Sequence, residues 1–455
     1  MTRHRSPVAG EEGISPATTY ETVEATEGAV EARRLPALGK AELICGLSEG
    51  LDLAEGRPMG HAKRVCYIAM SLTRSLALAE EPQTLAYYAS LLHDLGAPLV
   101  SAELSGLIGV NENSLFASAP WKSPEELAGE CPVSDIETVA NAFRRHCVLG
   151  GQKSVSMGAP PEVAEIVAAS HEHWDGSGYP EGLAAHDIPL LARVLSLADC
   201  AESIIAEEQS SLAARRNLVA EMENLSETVL DPRLVEQAKT LSRSDEFWLG
   251  LFGEDIQRSL LAMKPNENGK ANWKGTLRLA GGFAEVIDSK SPYTKGKSAR
   301  VAEVAGRLAE VIGLTDTHVS LIRFAALLHD IGQLGVPARI MGKPDLLTLT
   351  EMQLMQRHPS YSRLIVEGLR GCEEAALWIG AHHERPDGKG YPEMLTADLI
   401  PLESRIIAVA NVYVALSSER PYRGALNDRD ALKVLRGAGG TQLDPHLVRV
   451  FASLF

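Results

Sequence analysis

Apolar residues recur three and four positions apart along most of the chain. His61, Val65, Ile68 and Leu72 share one helical stripe, and Lys297, Val301, Val304 and Leu308 share another, so the polar residue heading each stripe faces a core. Leu85, Tyr88, Leu91 and Leu92 lead into His93-Asp94, and Leu321, Phe324, Leu327 and Leu328 lead into His329-Asp330. Gly96 and Gly332 follow two residues after each Asp and predict helix ends. No stretch alternates apolar and polar residues long enough to argue for a sheet, so the predicted fold is all-α.

The two stripes belong to a repeat. His61, His93-Asp94, His146, Ser170-His171 and Asp199 align with Lys297, His329-Asp330, His358, His382-His383 and Asn411. The first two landmarks lie 236 residues apart and the last three 212, so one insertion of 24 residues between His93 and His146 accounts for the change. A register of this kind marks a duplicated site, not scattered histidines. We expect an acidic disordered tail over 1–38, domain one over 40–250, a linker over 251–271 centred on Lys264 to Lys270, and domain two over 272–455. Each domain is expected to bury its own core. The insertion, near 104–131, is expected to be a loop with a short helix.

Charge and cysteine usage narrow the class. Among 455 residues, 44 are Lys or Arg and 60 are Asp or Glu, a net charge of −16, which argues against general nucleic-acid or membrane-surface binding. The six cysteines form no C-x-x-C pair and are expected to be buried thiols. The amino terminus has no apolar h-region and no apolar run reaches membrane-span length, so we expect a cytoplasmic protein.

Histidine and carboxylate ligands suit divalent Fe, Mn, Co, Ni or Zn. Two such ions about 3.5–4 Å apart polarise a phosphoryl oxygen and activate water, which is phosphodiester chemistry. The alternative is a set of buried polar residues satisfied by hydrogen bonds, and the shared register favours ligands. His173 and His186 are expected to face solvent, Trp174 to be a core aromatic, and His4 and His318 to carry no signal.

The ordered His…His-Asp…Asp set resembles the HD phosphohydrolase superfamily. Asp175-Gly176-Ser177-Gly178-Tyr179-Pro180, Asp387-Gly388-Lys389-Gly390-Tyr391-Pro392, Ile188-Pro189, Ile400-Pro401, His382-His383-Glu384 and Arg420-Pro421-Tyr422-Arg423 resemble its HD-GYP branch. The resemblance implies helical domains, a di- or trinuclear metal centre of Fe or Mn, and hydrolysis of a cyclic dinucleotide, typically cyclic di-GMP. It implies metal ligands at His61, His93, Asp94, His146, His171 and Asp199, with His93 and Asp94 at the heart of the chemistry. A weaker second set is His329, Asp330, His358, His382 and His383. Arg420 and Arg423 would meet substrate. For Gly178, Tyr179, Pro180, Gly390, Tyr391 and Pro392 packing of the Tyr and fixing of a turn by Gly and Pro is the favoured reading, ahead of the docking of GGDEF-domain proteins that the resemblance implies.

Both copies depart from the pattern. Domain one has Ser170 in place of a histidine. Domain two has Lys297 for the first His and Asn411 for the last Asp. A phosphate-facing Lys of the family is absent from both, at Ala97 and Gln333. The expectation is that domain one, with one or two ions, carries the chemistry and that domain two is degenerate, its Lys297 neutralising Asp330. A homodimer is possible on this reading. The competing readings are a non-catalytic signalling module and a mononuclear HD nucleotide phosphatase.

Overall fold

The computed structural model describes residues 35–455 apart from 110, 119, 132–134, 209–210, 254 and 267–271. Residues 1–34 of the expected tail 1–38, and residues 254 and 267–271 of the expected linker 251–271, lie outside the described residues. Among the described residues there is no β-strand longer than an isolated bridge, and the chain is a succession of helices, as the spacing of apolar residues predicts.

Each half builds the same helical frame. In the first, the helix His61–Ser75 packs beside Glu80–Leu92, a 3-10 turn carries His93–Leu95, and Ile136–Ser156 and Leu190–Ala206 close the frame. In the second, Lys297–Val311, Asp316–Leu328, the 3-10 turn Ile331–Gly335, His358–Glu367 and Leu402–Leu416 repeat it. The expected helix stops at Gly96 and Gly332 are not stops. Gly96 opens the helix Gly96–Ile108. A Cβ on Gly96 would lie 1.9 Å from the His146 carbonyl oxygen, and one on Gly332 would lie 2.2 Å from the His358 carbonyl oxygen. The glycines let the His-Asp turn touch the helix that carries the next histidine.

The halves do not bury separate cores. One apolar cluster runs from Leu38 and Leu47 through Tyr87, Leu197 and Phe283 to Phe324, Val409 and Phe451. Helices of both halves contribute to this one cluster. The expected linker takes part: Ile256–Met263 is helical, and Gln257 accepts from Lys63 Nζ at 2.7 Å while its Nε2 donates to the Gly368 carbonyl at 2.7 Å.

The insertion is more ordered than a loop. It contains the helices Glu112–Phe116 and Pro124–Gly129 after the end of Gly96–Ile108. These enclose a second, smaller apolar cluster with Val100, Leu115, Phe116, Leu127 and Phe143. Below it sits the fully buried Lys290. Its ammonium donates to the Leu334 carbonyl at 2.5 Å and to Asn113 Oδ1 at 3.1 Å, and lies 3.8 Å from Glu112 Oε1. Glu112 in turn accepts from the Ala338 amide at 2.6 Å. Burial lowers the Lys290 pKa to about 8 despite Glu112 nearby. Truncating one partner of such a buried pair strands the other. Lys290→Ala is expected to cost about 3 kcal/mol of unfolding free energy in a denaturant titration; a loss below about 1 kcal/mol would show that the node is dispensable.

Candidate metal centres

Two buried clusters gather the residues that the repeat aligned. In both halves the His-bearing turn is placed by local backbone bonding. His93 Nδ1 donates to the Ser90 carbonyl at 2.8 Å, His329 Nδ1 to Ala326 at 2.7 Å, His358 Nδ1 to Met355 at 2.7 Å and His382 Nδ1 to Ile379 at 2.6 Å. His146 does the same to Phe143. Each imidazole bonds three residues back along its own chain, which fixes the tautomer and leaves Nε2 aimed inward, as a metal ligand requires.

In the first half, His61 begins its helix after Gly60, whose φ of 89° is left-handed. The turn is held by Asp52, which accepts from the Gly60 amide at 2.7 Å and the Ala62 amide at 3.0 Å. His61 Nδ1 is hydrogen-bonded to Glu202, so its Nε2 points to Asp199 Oδ1 at 3.5 Å and Asp94 Oδ2 at 3.9 Å. His93 Nε2 lies 3.0 Å from Asp94 Oδ1. His61 Nε2, His93 Nε2, Asp94 Oδ2 and Asp199 Oδ1 are all buried without a hydrogen-bond partner. Four converging orphan atoms of this chemistry fit a divalent cation. Burial disfavours the charge on His93, but Asp94 outweighs it and raises the pKa to about 9. Burial works against Asp94 too, and His93 beside it holds its carboxyl well below the usual range. His146 and His171 form a neighbouring group with Cys147.

In the second half, Asp330, His358, His382 and His383 bring one ligand atom each to within 4.8 Å of one another. The two Asp330 oxygens face different ways. Oδ2 lies 2.5 Å from Lys297 Nζ and 3.1 Å from His329 Nε2, while Oδ1 lies 3.2 Å from His358 Nε2 and 3.7 Å from His382 Nε2. Oδ1 has no hydrogen-bond partner. Burial, then the neighbouring imidazoles, holds His382 and His383 well below the ordinary histidine pKa, so both stay neutral and able to ligate. The three imidazoles and one carboxylate also fit a divalent cation.

The two centres differ most in access. The first is lined by Asp94, His146, His171, Asp199, Glu55 and Arg57, and is roofed by Leu115, Phe116, Ser118, Pro120 and Leu127 of the insertion. The Phe116 ring meets His146 edge-on, and Arg57 donates to the Ser118 carbonyl at 3.0 Å. The remaining cavity is about 30 Å³. The second opens into a cleft of about 340 Å³ lined by Lys297, Gln333, Met341, Met355, His383, Tyr391, Asn411, Arg420 and Tyr422 among others.

Other expected residues fall into place or move. Arg420 lines the cleft. Arg423 does not: its guanidinium donates to the carbonyls of Ala415, Leu416 and Gly424, capping the end of Leu402–Leu416. The Gly-Tyr-Pro segments turn inward. Tyr179 stacks on His171 at 5.0 Å and Tyr391 on His383 at 4.8 Å, so the tyrosines hold imidazoles. Of those six residues Pro392 is exposed and Tyr179 and Gly390 are buried. His173, expected in solvent, is buried because its loop folds under the segment Asp175–Tyr179 and its Nδ1 meets Ser177 at 3.1 Å. His318, expected to be silent, pairs with Glu403 at 2.5 Å.

Several supporting residues escaped sequence reasoning although the register carried them. Asp288 stands 236 positions after Asp52 and accepts from the Ser298 amide at 2.9 Å, holding the Lys297 turn as Asp52 holds the His61 turn. Glu384 stands 212 after Glu172; they accept from the Glu393 and Glu181 amides, each at 2.7 Å, fixing the Gly-Tyr-Pro loops. Glu55, Arg57 and Glu202 align with Ser291, Tyr293 and Val414, so no repeat signal could find them.

Comparison with known proteins gives a consistent picture. The sequence pattern described as HD domain matches residues 140–234 and 282–447. The 3'3'-cGAMP-specific phosphodiesterase 3 of Vibrio cholerae serotype O1 is 31% identical over 428 residues, 89% of this chain and 92% of that protein. The cyclic di-GMP phosphodiesterase response regulator RpfG of Xanthomonas campestris pv. campestris is 41% identical over 171 residues, 36% of this chain and 44% of that protein. A crystal structure of a cyclic GMP-AMP specific phosphodiesterase of V. cholerae superposes with a TM-score of 0.64 at 28% identity, covering 91% of this chain and 96% of that one.

The buried imidazoles make stability pH-dependent in chelated protein. Burial lowers His146 to about 4 and His171 to about 3, against about 6.5 unfolded. The unfolded chain therefore binds more protons between these values, and stability is full above pH 6.5 and falls as pH drops. At pH 5 each group withdraws about 2 kcal/mol. His171→Asn is expected to shrink the difference between denaturation midpoints at pH 7 and pH 5. An unchanged difference would mean that His171 is not buried neutral.

Proposed function

We propose, from the premise that the chain belongs to the HD domain family, that it is a metal-dependent phosphodiesterase acting on a 3'3'-cyclic dinucleotide, with substrate turned over in the cleft of the carboxy-terminal half. The observation that carries the choice of half is room. About 30 Å³ in the first centre holds only two or three waters at about 10–15 Å³ each, whereas about 340 Å³ falls within the range of small-molecule sites, roughly 300–1,000 Å³. This departs from the expectation that domain one does the chemistry. Its ligand set is fuller, but the insertion shuts it.

Asp330, His358, His382 and His383 would hold the ion, and Fe or Mn suits a set of three imidazoles and one carboxylate. A divalent ion supplies polarisation of a phosphoryl oxygen and activation of water when bound. The protein's own residues do the rest. Arg420 and Lys297 meet phosphate oxygens in the cleft. Met341, Met355 and Tyr422 offer apolar and aromatic walls to bases. Tyr391 stacked on His383 and the Ile379 carbonyl on His382 keep the imidazoles oriented.

Two relatives matching along both halves are named for cGAMP, whereas several named for cyclic di-GMP match 36–38% of this chain, as does one more named for cGAMP. This supports a mixed guanine–adenine dinucleotide ahead of cyclic di-GMP. The Asp330–Lys297 pair favours the second reading, a binding module without turnover. The mononuclear phosphatase reading would need the sealed centre. Docking of a GGDEF-domain partner would use the exposed rim of Pro392, Met394 and Leu399, and a homodimer remains part of the proposal.

Metal-loaded protein is expected to hydrolyse cyclic GMP–AMP faster than cyclic di-GMP in a panel of cyclic and linear dinucleotides. Asp330→Asn is expected to lower kcat on the order of 100-fold and Asp94→Asn by less than about threefold. Binding of the dinucleotide with no product would favour the module, and the reverse ranking of the two variants would return the chemistry to the first half. Arg420→Ala is expected to raise KM about tenfold, as loss of one charge-assisted phosphate contact of about 1.4 kcal/mol does.

A further inference from the structure

We propose that Lys297 and Asn411 together replace one divalent ion, so that the carboxy-terminal centre works with a single metal and a fixed ammonium. The inference rests on the metal centre assigned above to this half and deepens it.

The charge balance is the first observation. Aligned with the first half, Lys297 stands for His61 and Asn411 for Asp199. A neutral imidazole becomes a cation and a carboxylate becomes neutral. At these two positions two positive charges are gained, equal to the charge of one divalent ion, and the nearby changes of Glu55 to Ser291, Arg57 to Tyr293 and Glu202 to Val414 add one more between them. A lone His→Lys or Asp→Asn change would supply only half the charge of the ion.

The second observation is the division of Asp330. In the first half the aligned backbone position puts an imidazole beside the carboxylate: His61 begins its helix after left-handed Gly60, and Lys297 begins its helix after left-handed Gly296, φ 71°. The longer lysine carries its ammonium to 2.5 Å from Asp330 Oδ2. A metal–carboxylate bond is about 2.0–2.2 Å, so an ion on Oδ2 would have to occupy space that the ammonium fills, against its charge. Oδ1, facing His358 and His382, is left without a partner. One side of the aspartate is thus closed by lysine and the other is open to one ion.

The third observation is where the ammonium looks. Lys297 lines the cleft with Arg420, Gln333 and Asn411. Among the described residues Asp330 is its one hydrogen-bond partner, and an ammonium has three N–H donors. Two remain for a phosphate oxygen. Unlike an exchangeable ion, this cation is held covalently and cannot be removed by chelation.

The test is metal content of full-length, Mn(II)-loaded protein by elemental analysis, alongside steady-state kinetics. Lys297→His combined with Asn411→Asp is expected to gain about one ion per chain over the unaltered protein. Lys297→Met, which removes the charge without supplying a ligand, is expected to keep the original metal content and lose at least about tenfold in kcat. A folded double variant with no added ion, or a Lys297→Met protein with unchanged kcat and KM, overturns the proposal. His358→Ala and His383→Ala keep the two readings apart. If they leave metal content unchanged, the metal centre itself is misassigned. If they lower it while the Lys297 variants behave against expectation, the lysine proposal alone fails.

Discussion

A carboxylate buried among helices is tolerated only beside compensating positive charge, and both halves of this protein are organised around one. Asp94 and Asp330 are each almost wholly buried. Stripping water from an unpaired carboxylate costs several kcal/mol at least, so such a position is kept only where cations converge on it. In the first half the neighbours are His61, His93 and Arg57, set against further carboxylates from Glu55, Asp199 and Glu202. Acid exceeds base there, and orphan atoms on four side chains mark the deficit. In the second half the acids have been thinned out and a lysine added, and the deficit has moved to one oxygen of Asp330.

The surrounding structure serves these charges. Nδ1 bonds to carbonyls three residues back aim the imidazoles, and Asp52 and Asp288 pin the turns that start the His61 and Lys297 helices. The two centres also share a physical link. The short helix Glu112–Phe116 lays Phe116 over the first centre, while Glu112 and Asn113 on the same helix grip the backbone at Ala338 and, through Lys290, Leu334. That backbone follows directly from Asp330. The roof of one site is thus bonded to the floor of the other, inside a core that neither half completes alone.

The helical class, the repeat and the gathering of both ligand sets were legible in the sequence, because helical periodicity and a fixed offset are local or arithmetic signals. What escaped needed distances between remote atoms. Gly96 and Gly332 looked like helix ends; they are glycines because a carbonyl passes where a Cβ would be. Arg423 looked like a phosphate ligand, but the carbonyls at the end of its neighbouring helix were nearer. The insertion gave no sign that its apolar residues roof a site, since composition alone does not say which surface a loop covers. Ranking the halves by ligand count and ranking them by access give opposite orders.

The same stretch of chain, the connection between the His-Asp turn and the next histidine-bearing helix, decides both outcomes. In the first half it carries the extra 24 residues and folds over the centre with Leu115, Phe116 and Leu127. In the second it is shorter, and Met341 and Met355 stand at the side of an open cleft. Ligand retention and access therefore run in opposite directions between the halves. The half that keeps His61 and Asp199 has closed around them. The half that gave up those two ligands kept its mouth open and acquired basic side chains facing it. Only together do Lys297 and Asn411 bring to the buried carboxylate the two units of positive charge that a divalent ion would supply.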